Sequence, residues 1–232
     1  MSLYLIIILC SLAVPLIFSF EKKVAFYKYW KFLIPSILIT AIFFIAFDIF
    51  FTKIGIWGFN AAYVSNLFVA GLPIEELIFF LVIPYVSIFI HYVFINYFPA
   101  VYLTRKITLL ITWTLITGLS AIMILFPGRT YTLFYAAIMA ILLLVSLFIK
   151  EQILNRFYIT FLIILVPFFL VNGILTGSFI PEEVIWYNES EITGFRILTV
   201  PFEDILYGFS LILINLLLMG TLQKYYRKKH SN

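Results

Sequence analysis

The chain has 232 residues, of which 64% are hydrophobic and only 11% charged, with a formal net charge of +4. A soluble domain carries about 25% charged residues, so this chain cannot cover a core with wetted polar surface, and a bilayer must be its solvent. The single cysteine, Cys10, excludes a disulfide framework and a cysteine-based metal site, and basic residues spread between apolar stretches make no nucleic-acid footprint.

Stretches apolar and long enough to cross about 30 Å of hydrocarbon run over 3–20, 32–51, 73–95, 107–126, 131–149, 157–175 and 200–222. The expected fold is therefore all-α and integral to the membrane, with about seven transmembrane helices. The first stretch has neither a basic n-region nor a small-residue cleavage site, so it is expected to be a retained helix. Near the end of the second lies Asp48-x-x-x-Thr52. The third opens with Pro73-Ile74-Glu75-Glu76, where a proline at the first helical position puts both acids in the first turn. His91, about four turns further on, is expected to be a satisfied structural histidine, and Pro84 and Pro167 are expected to kink the third and sixth helices. The sixth ends with Asn172-x-x-x-Thr176, and the seventh opens with Pro201-Phe202-Glu203-Asp204. The acidic segment between them, with Glu182, Glu183, Glu189 and Glu191, reads as a solvated loop.

Orientation follows from the basic residues. Twelve of them (Lys22, Lys23, Lys28, Lys31, Arg105, Lys106, Lys150, Arg156, Lys224, Arg227, Lys228 and Lys229) fall after the odd-numbered helices or in the tail. Only Lys53, Arg129 and Arg196 fall after the even-numbered ones. The N-terminus is expected outside and the C-terminus in the cytoplasm, in the cytoplasmic membrane of a prokaryote.

The two Pro-x-acid-acid motifs stand 128 residues apart, and the helices before them repeat at nearly the same interval. Residues 1–100 and 128–232 are thus expected to be parallel three-helix repeats, joined by a linking helix within 101–127. Both motifs then enter the membrane from one side, at a pseudo-twofold axis, as at the repeat interfaces of transporters.

One acidic first turn could simply complement a helix dipole. Two copies at membrane depth favour a functional site, because ionisable groups there are costly. Glu75, Glu76, Glu203 and Asp204 cannot all be charged in one apolar pocket with few cations nearby. A protonated carboxyl beside an ionised one is the arrangement acid–base chemistry needs. Asp48 and Asn172, at equivalent positions, are expected to support the acidic motifs. Most aromatics near the motifs (Trp57, Phe59, Phe79, Phe80, Tyr85, Trp186, Tyr187, Phe202, Tyr207 and Phe209) are expected to pack or to anchor at the interface. A subset facing the acids, with Trp57, Phe79, Phe80 and Tyr207 as substrate-lining candidates, would stabilise a carbocation through the ring faces. Acid, base and π-face are what an acid-initiated polyene cyclisation requires.

These residues resemble the membrane-integral lycopene cyclases, which occur as two small subunits or as one fused chain. The likeness rests on Pro73 to Glu76, Pro201 to Asp204, Phe47-Asp48 through Gly55-Ile56-Trp57, and Asn172 through Gly177. It covers roughly residues 1–223, as in the fused form. The resemblance implies isomerisation of lycopene to a ringed carotene such as γ- or β-carotene, without net redox change and without a cofactor. It puts Glu75 and Glu203 as the central acid–base pair, with Glu76 and Asp204 tuning or sharing the proton. Cyclisation of C50 carotenoids, or to ε- or γ-rings, stays open. A proton- or ion-coupled transporter would also suit parallel repeats with intramembrane acids, but it predicts polar residues deep in several helices, and few occur outside the Thr and Ser of 108–120. A retinal protein lacks its helix-7 lysine here. A prenyltransferase would need basic residues beside its acidic motifs, and a flavin-dependent cyclase would need Gly-x-Gly-x-x-Gly.

Overall fold

The computed structural model describes residues 1–149 and 151–230; Lys150, one of the basic residues that set the orientation, lies outside them. Among the described residues, seven α-helices run in chain order: α1 (Leu3–Phe18), α2 (Trp30–Lys53), α3 (Ile74–Tyr97), α4 (Arg105–Leu125), α5 (Thr130–Ile149), α6 (Glu151–Leu175) and α7 (Phe202–His230). Six are long and apolar enough to cross a membrane. The exception is α1, whose 16 residues rise about 24 Å.

Packing interleaves the two halves. Helix α1 lies against α3 and α5 against α7, while α2 crosses to α7 and α6 crosses to α3. Helix α4 sits at the edge against α5 and α6 and leaves large residues such as Leu110, Trp113 and Ile124 exposed, which suits a helix whose outer face meets lipid. Because α2 and α3 each bury a face against the other half, the helices between the N-terminus and the end of α7 share one core rather than two.

At one end of the bundle, six short strands organise the segments before α3 and α7. Strand β1 (Trp57–Phe59) pairs antiparallel with β4 (Ile185–Tyr187), matching Trp57 with Tyr187, Gly58 with Trp186 and Phe59 with Ile185. Adding 128 to each β1 number gives the β4 numbers, so the register is its own image under a twofold rotation, with the axis through the Gly58–Trp186 pair. The Trp186 indole covers Gly58 so closely that a Cβ there would stand 2.5 Å from Cζ2, and only glycine fits. The hairpins repeat by the same interval: β2–β3 (Phe68–Val69, Leu72–Pro73) and β5–β6 (Arg196–Ile197, Val200–Pro201) lead into α3 and α7. Their turns share a left-handed first residue, Ala70 and Leu198, as twofold-related tight hairpins require.

Pro73 is not the first helical residue but the N-cap of α3. It pairs with Phe68 as the end of β3, so the hairpin fixes the proline in extended conformation and the helix begins one residue later. The acids keep their place in the first turn. His91 meets Thr160 of α6 at 2.7 Å, and Pro84 and Pro167 lie within α3 and α6. The acidic segment is less free than a solvated loop. Glu191 accepts from the Thr130 N–H at the start of α5, Glu189 pairs with Arg196, and Glu182 accepts from the Asn60 side chain across the β1–β4 sheet.

Candidate functional site

The acids of the two motifs point in different directions, and the difference repeats at both motifs. The outer acids, Glu75 and Glu203, turn back toward their own hairpin. Glu75 Oε1 accepts from the Ser2 hydroxyl at the start of α1 and from the Ser65 N–H at 2.7 Å. Glu203 Oε1 accepts from the Thr132 hydroxyl in the first turn of α5 at 2.6 Å and from the Thr193 N–H at 2.7 Å. Ser65 and Thr193 are again 128 residues apart. Each outer carboxylate therefore ties three elements together: the helix it starts, the loop before that helix, and the neighbouring helix α1 or α5.

The inner acids, Glu76 and Asp204, face each other across the axis. They line a small pocket of about 30 Å³ with Asp48, Asn172, Tyr4, Trp57, Phe79, Tyr131, Tyr187 and Tyr207. Glu76 Oε2 accepts from the Tyr4 hydroxyl at 2.6 Å. Asp204 accepts from Tyr131 at 3.2 Å and Tyr187 at 2.9 Å, one phenol on each oxygen. Burial of its hydroxyl and the adjacent Asp204 carboxylate hold the Tyr187 phenol well above its usual range, so it acts as a donor. Glu76, Asp204 and Asp48 are 4%, 3% and 2% exposed. Three carboxyls in so small an apolar space cannot all be ionised, and the surrounding rings present faces on which positive charge is favourable.

This pocket adjoins a larger one. An apolar groove of about 380 Å³ runs between α1, α3, α6 and α7, and shares Phe79, Asn172 and Tyr207 as walls with the carboxyl pocket. Its α6 wall extends from Ile164 to Ile174, about 15 Å along the helix. On the other side of the axis, the corresponding space between α2, α3, α5 and α7 holds the rings of Phe44, Phe80 and Tyr135, with Tyr135 stacked on Phe44 at 6.4 Å. One side of the pocket thus borders the groove and the other is filled.

The sequence expectations divide accordingly. Asp48, Glu76, Asn172 and Asp204 meet in one pocket, with Trp57, Phe79 and Tyr207 on its wall. Glu75 and Glu203 lie outside it as loop braces. Pro73 and Pro201 end the hairpins that deliver the acids. Phe80 faces Phe44, with ring centroids 6.3 Å apart, and lines neither the pocket nor the groove. Sequence reasoning did not single out Tyr4 or Tyr131. Their positions near the starts of α1 and α5 were the available signal, since each lies beside a helix that an acidic motif must pack against.

A family model described as lycopene cyclase matches residues 1–94 and 128–222. The two matched segments cover α1, α2 and most of α3, and α5, α6 and most of α7, and the unmatched interval contains α4. Neither the curated proteins nor the solved structures searched match the chain.

Proposed function

The chain belongs to the lycopene cyclase family, and from that premise we propose that it is a lycopene β-cyclase of carotenoid biosynthesis whose chemistry is done by the carboxyls that line the shared pocket. Family membership supports cyclase activity on a carotenoid. The observation that carries the mechanistic reading is the pairing of a buried carboxyl pocket with an apolar groove that shares its walls. A polyene tail lies in the groove, and its terminal double bond reaches the junction at Phe79 and Tyr207.

The reaction needs one acid and one base and no net redox change. A carboxylic acid protonates C2 of the acyclic end, leaving a cation at C1. The C5–C6 double bond attacks it, the C1–C6 bond forms, and the charge moves to C5. A carboxylate then removes the C6 proton, which leaves the C5–C6 double bond of a β-ring. The carboxyls of the pocket share this work, with Glu76 and Asp204 as its symmetry-related members. The phenols of Tyr4, Tyr131 and Tyr187 hold those two in place and, with Trp57 and Phe79, offer π-faces to the cation. Glu75 and Glu203 act as positioning residues that fix the angle at which each first turn enters the pocket. We place residues 1–100 and 128–232 as the two repeats, with the pocket on the outer side of the membrane, the N-terminus outside and the C-terminus in the cytoplasm.

The test is isotopic. Purified protein acting on lycopene in lipid vesicles made up in D2O should add one solvent deuterium and release one substrate hydrogen for each ring closed. A ringed product without solvent deuterium would exclude proton-initiated cyclisation.

A further inference from the structure

We propose that Asp48 of α2 is the acid that starts the cyclisation, a role that rests on the cyclase reading above. The sequence places it only as a support for the acidic motifs, by analogy with Asn172.

The assignment comes from the distribution of hydrogen-bond donors. A carboxylate buried in an apolar pocket needs donors to hold its charge, whereas a carboxylic acid brings its own proton. Asp204 receives two phenols, Glu76 receives one, and Glu75 and Glu203 each receive a hydroxyl and a backbone N–H. Asp48 is equally buried and lines the same pocket, yet among the described residues none donates to its carboxyl. Of the five acids, it is the one provided for as neutral, beside two provided for as anions. The charged and titratable groups facing it are Glu76 from α3, Asp204 from α7, and the phenols of Tyr4 from α1, Tyr131 and Tyr135 from α5, Tyr187 from β4 and Tyr207 from α7. None is a cation.

The twofold relation sharpens the point. Glu76 and Asp204 answer each other as acids, but Asp48 is answered by Asn172, whose side-chain amide donates to the Phe168 carbonyl of its own helix at 3.3 Å. The pocket therefore has one acid of this kind rather than two, and it lies across the axis from Asn172, a residue that the groove and the pocket share. Asp48 gives its proton to C2, and the C6 proton leaves to a carboxylate of the Glu76–Asp204 pair. That proton is released to solvent from the carboxylate pair and Asp48 takes up a solvent proton before the next turnover, so atoms and charge balance over the cycle.

Asp48→Asn tests this, because an amide already stands at the equivalent turn of α6. The full chain in lycopene-accumulating membranes should lose about 10²–10⁴-fold in cyclisation rate, the usual contribution of a general acid, with lycopene as the only pigment. A loss below about 100-fold, or the appearance of hydrated or rearranged products showing that the cation still forms, would overturn the assignment. Infrared spectroscopy of the purified protein should show the carbonyl stretch of a protonated carboxylic acid, removed in Asp48→Asn and shifted in Asp48→Glu. A stretch that does not move in Asp48→Glu overturns the proposal even where Asp48→Asn fails to accumulate. An inactive wild type would count against the cyclase reading itself, whereas an active wild type with an active Asp48→Asn would count only against Asp48.

Discussion

Glu203→Gln separates bracing from chemistry. The Glu203 carboxylate accepts a hydroxyl from Thr132 and a backbone N–H from Thr193, and both bonds are charge-assisted. Such bonds are worth about 1.5–3 kcal/mol each, against about 0.5–1.5 for neutral ones. Glutamine keeps an acceptor oxygen in the same place, so both bonds survive at neutral strength and the loss is about 2–3 kcal/mol. For a chain of this size each kcal/mol corresponds to about 2–4 °C, so the midpoint should fall by about 4–12 °C. The assay is thermal unfolding of the detergent-purified protein followed by tryptophan fluorescence, with pigment chromatography at a temperature where the variant is folded. Cyclisation there should stay within about tenfold of wild type, because Glu203 does not line the pocket. Asp204→Asn weakens two phenol bonds, one of which an amide nitrogen cannot accept, so its midpoint should fall as well, but at a temperature where it is folded its activity should be down by about 10²–10⁴-fold. A Glu203→Gln protein of wild-type stability that makes no product would refute this division and return the outer acids to the chemistry.

Three further outcomes follow from the geometry. Gly58→Ala pushes a methyl into the Trp186 ring on the axis and should cost about 1–3 kcal/mol by overpacking, read as a lowered midpoint; an unchanged midpoint would mean the indole is free to swing away. Val171→Trp, in the wall of the groove, should block cyclisation in a folded protein, whereas Leu115→Trp, in the separate apolar recess between α4, α6 and α7, should not; equal effects would detach the groove from the substrate. In a Cys10→Ala background, a cysteine introduced at Glu189 should react with an impermeant thiol reagent from outside intact cells, and labelling from the cytoplasmic side alone would invert the topology.

Much of this arrangement was legible in the sequence, for physical reasons. Apolar runs long enough to cross a bilayer have few alternatives to a helix, so the seven elements and their order followed from hydropathy. The twofold relation was visible because two Pro-x-acid-acid turns at a 128-residue interval mark the same point in two copies of one unit. What could not be read was which acid of each pair faces inward. Consecutive helical residues point about 100° apart, and the choice between Glu75 and Glu76 depends on where α1 lies, since Ser2 and Tyr4 take one acid each. The same holds for Glu203 and Asp204 with Thr132 and Tyr131 of α5. Phe79 and Phe80 differ for a similar reason: one faces the groove and the other faces the packed rings beyond the axis. The strands that join the two loops are two or three residues long, too short for any alternation of apolar and polar residues to show.

The central claim, that this chain closes rings on lycopene, is tested most directly by expressing it in a bacterial host that accumulates lycopene and separating the extracted pigments by chromatography. The account predicts conversion to γ- or β-carotene, with β-rings showing that the proton leaves from C6. Unchanged lycopene, in cells where the full-length protein is present and folded in the membrane, would contradict it.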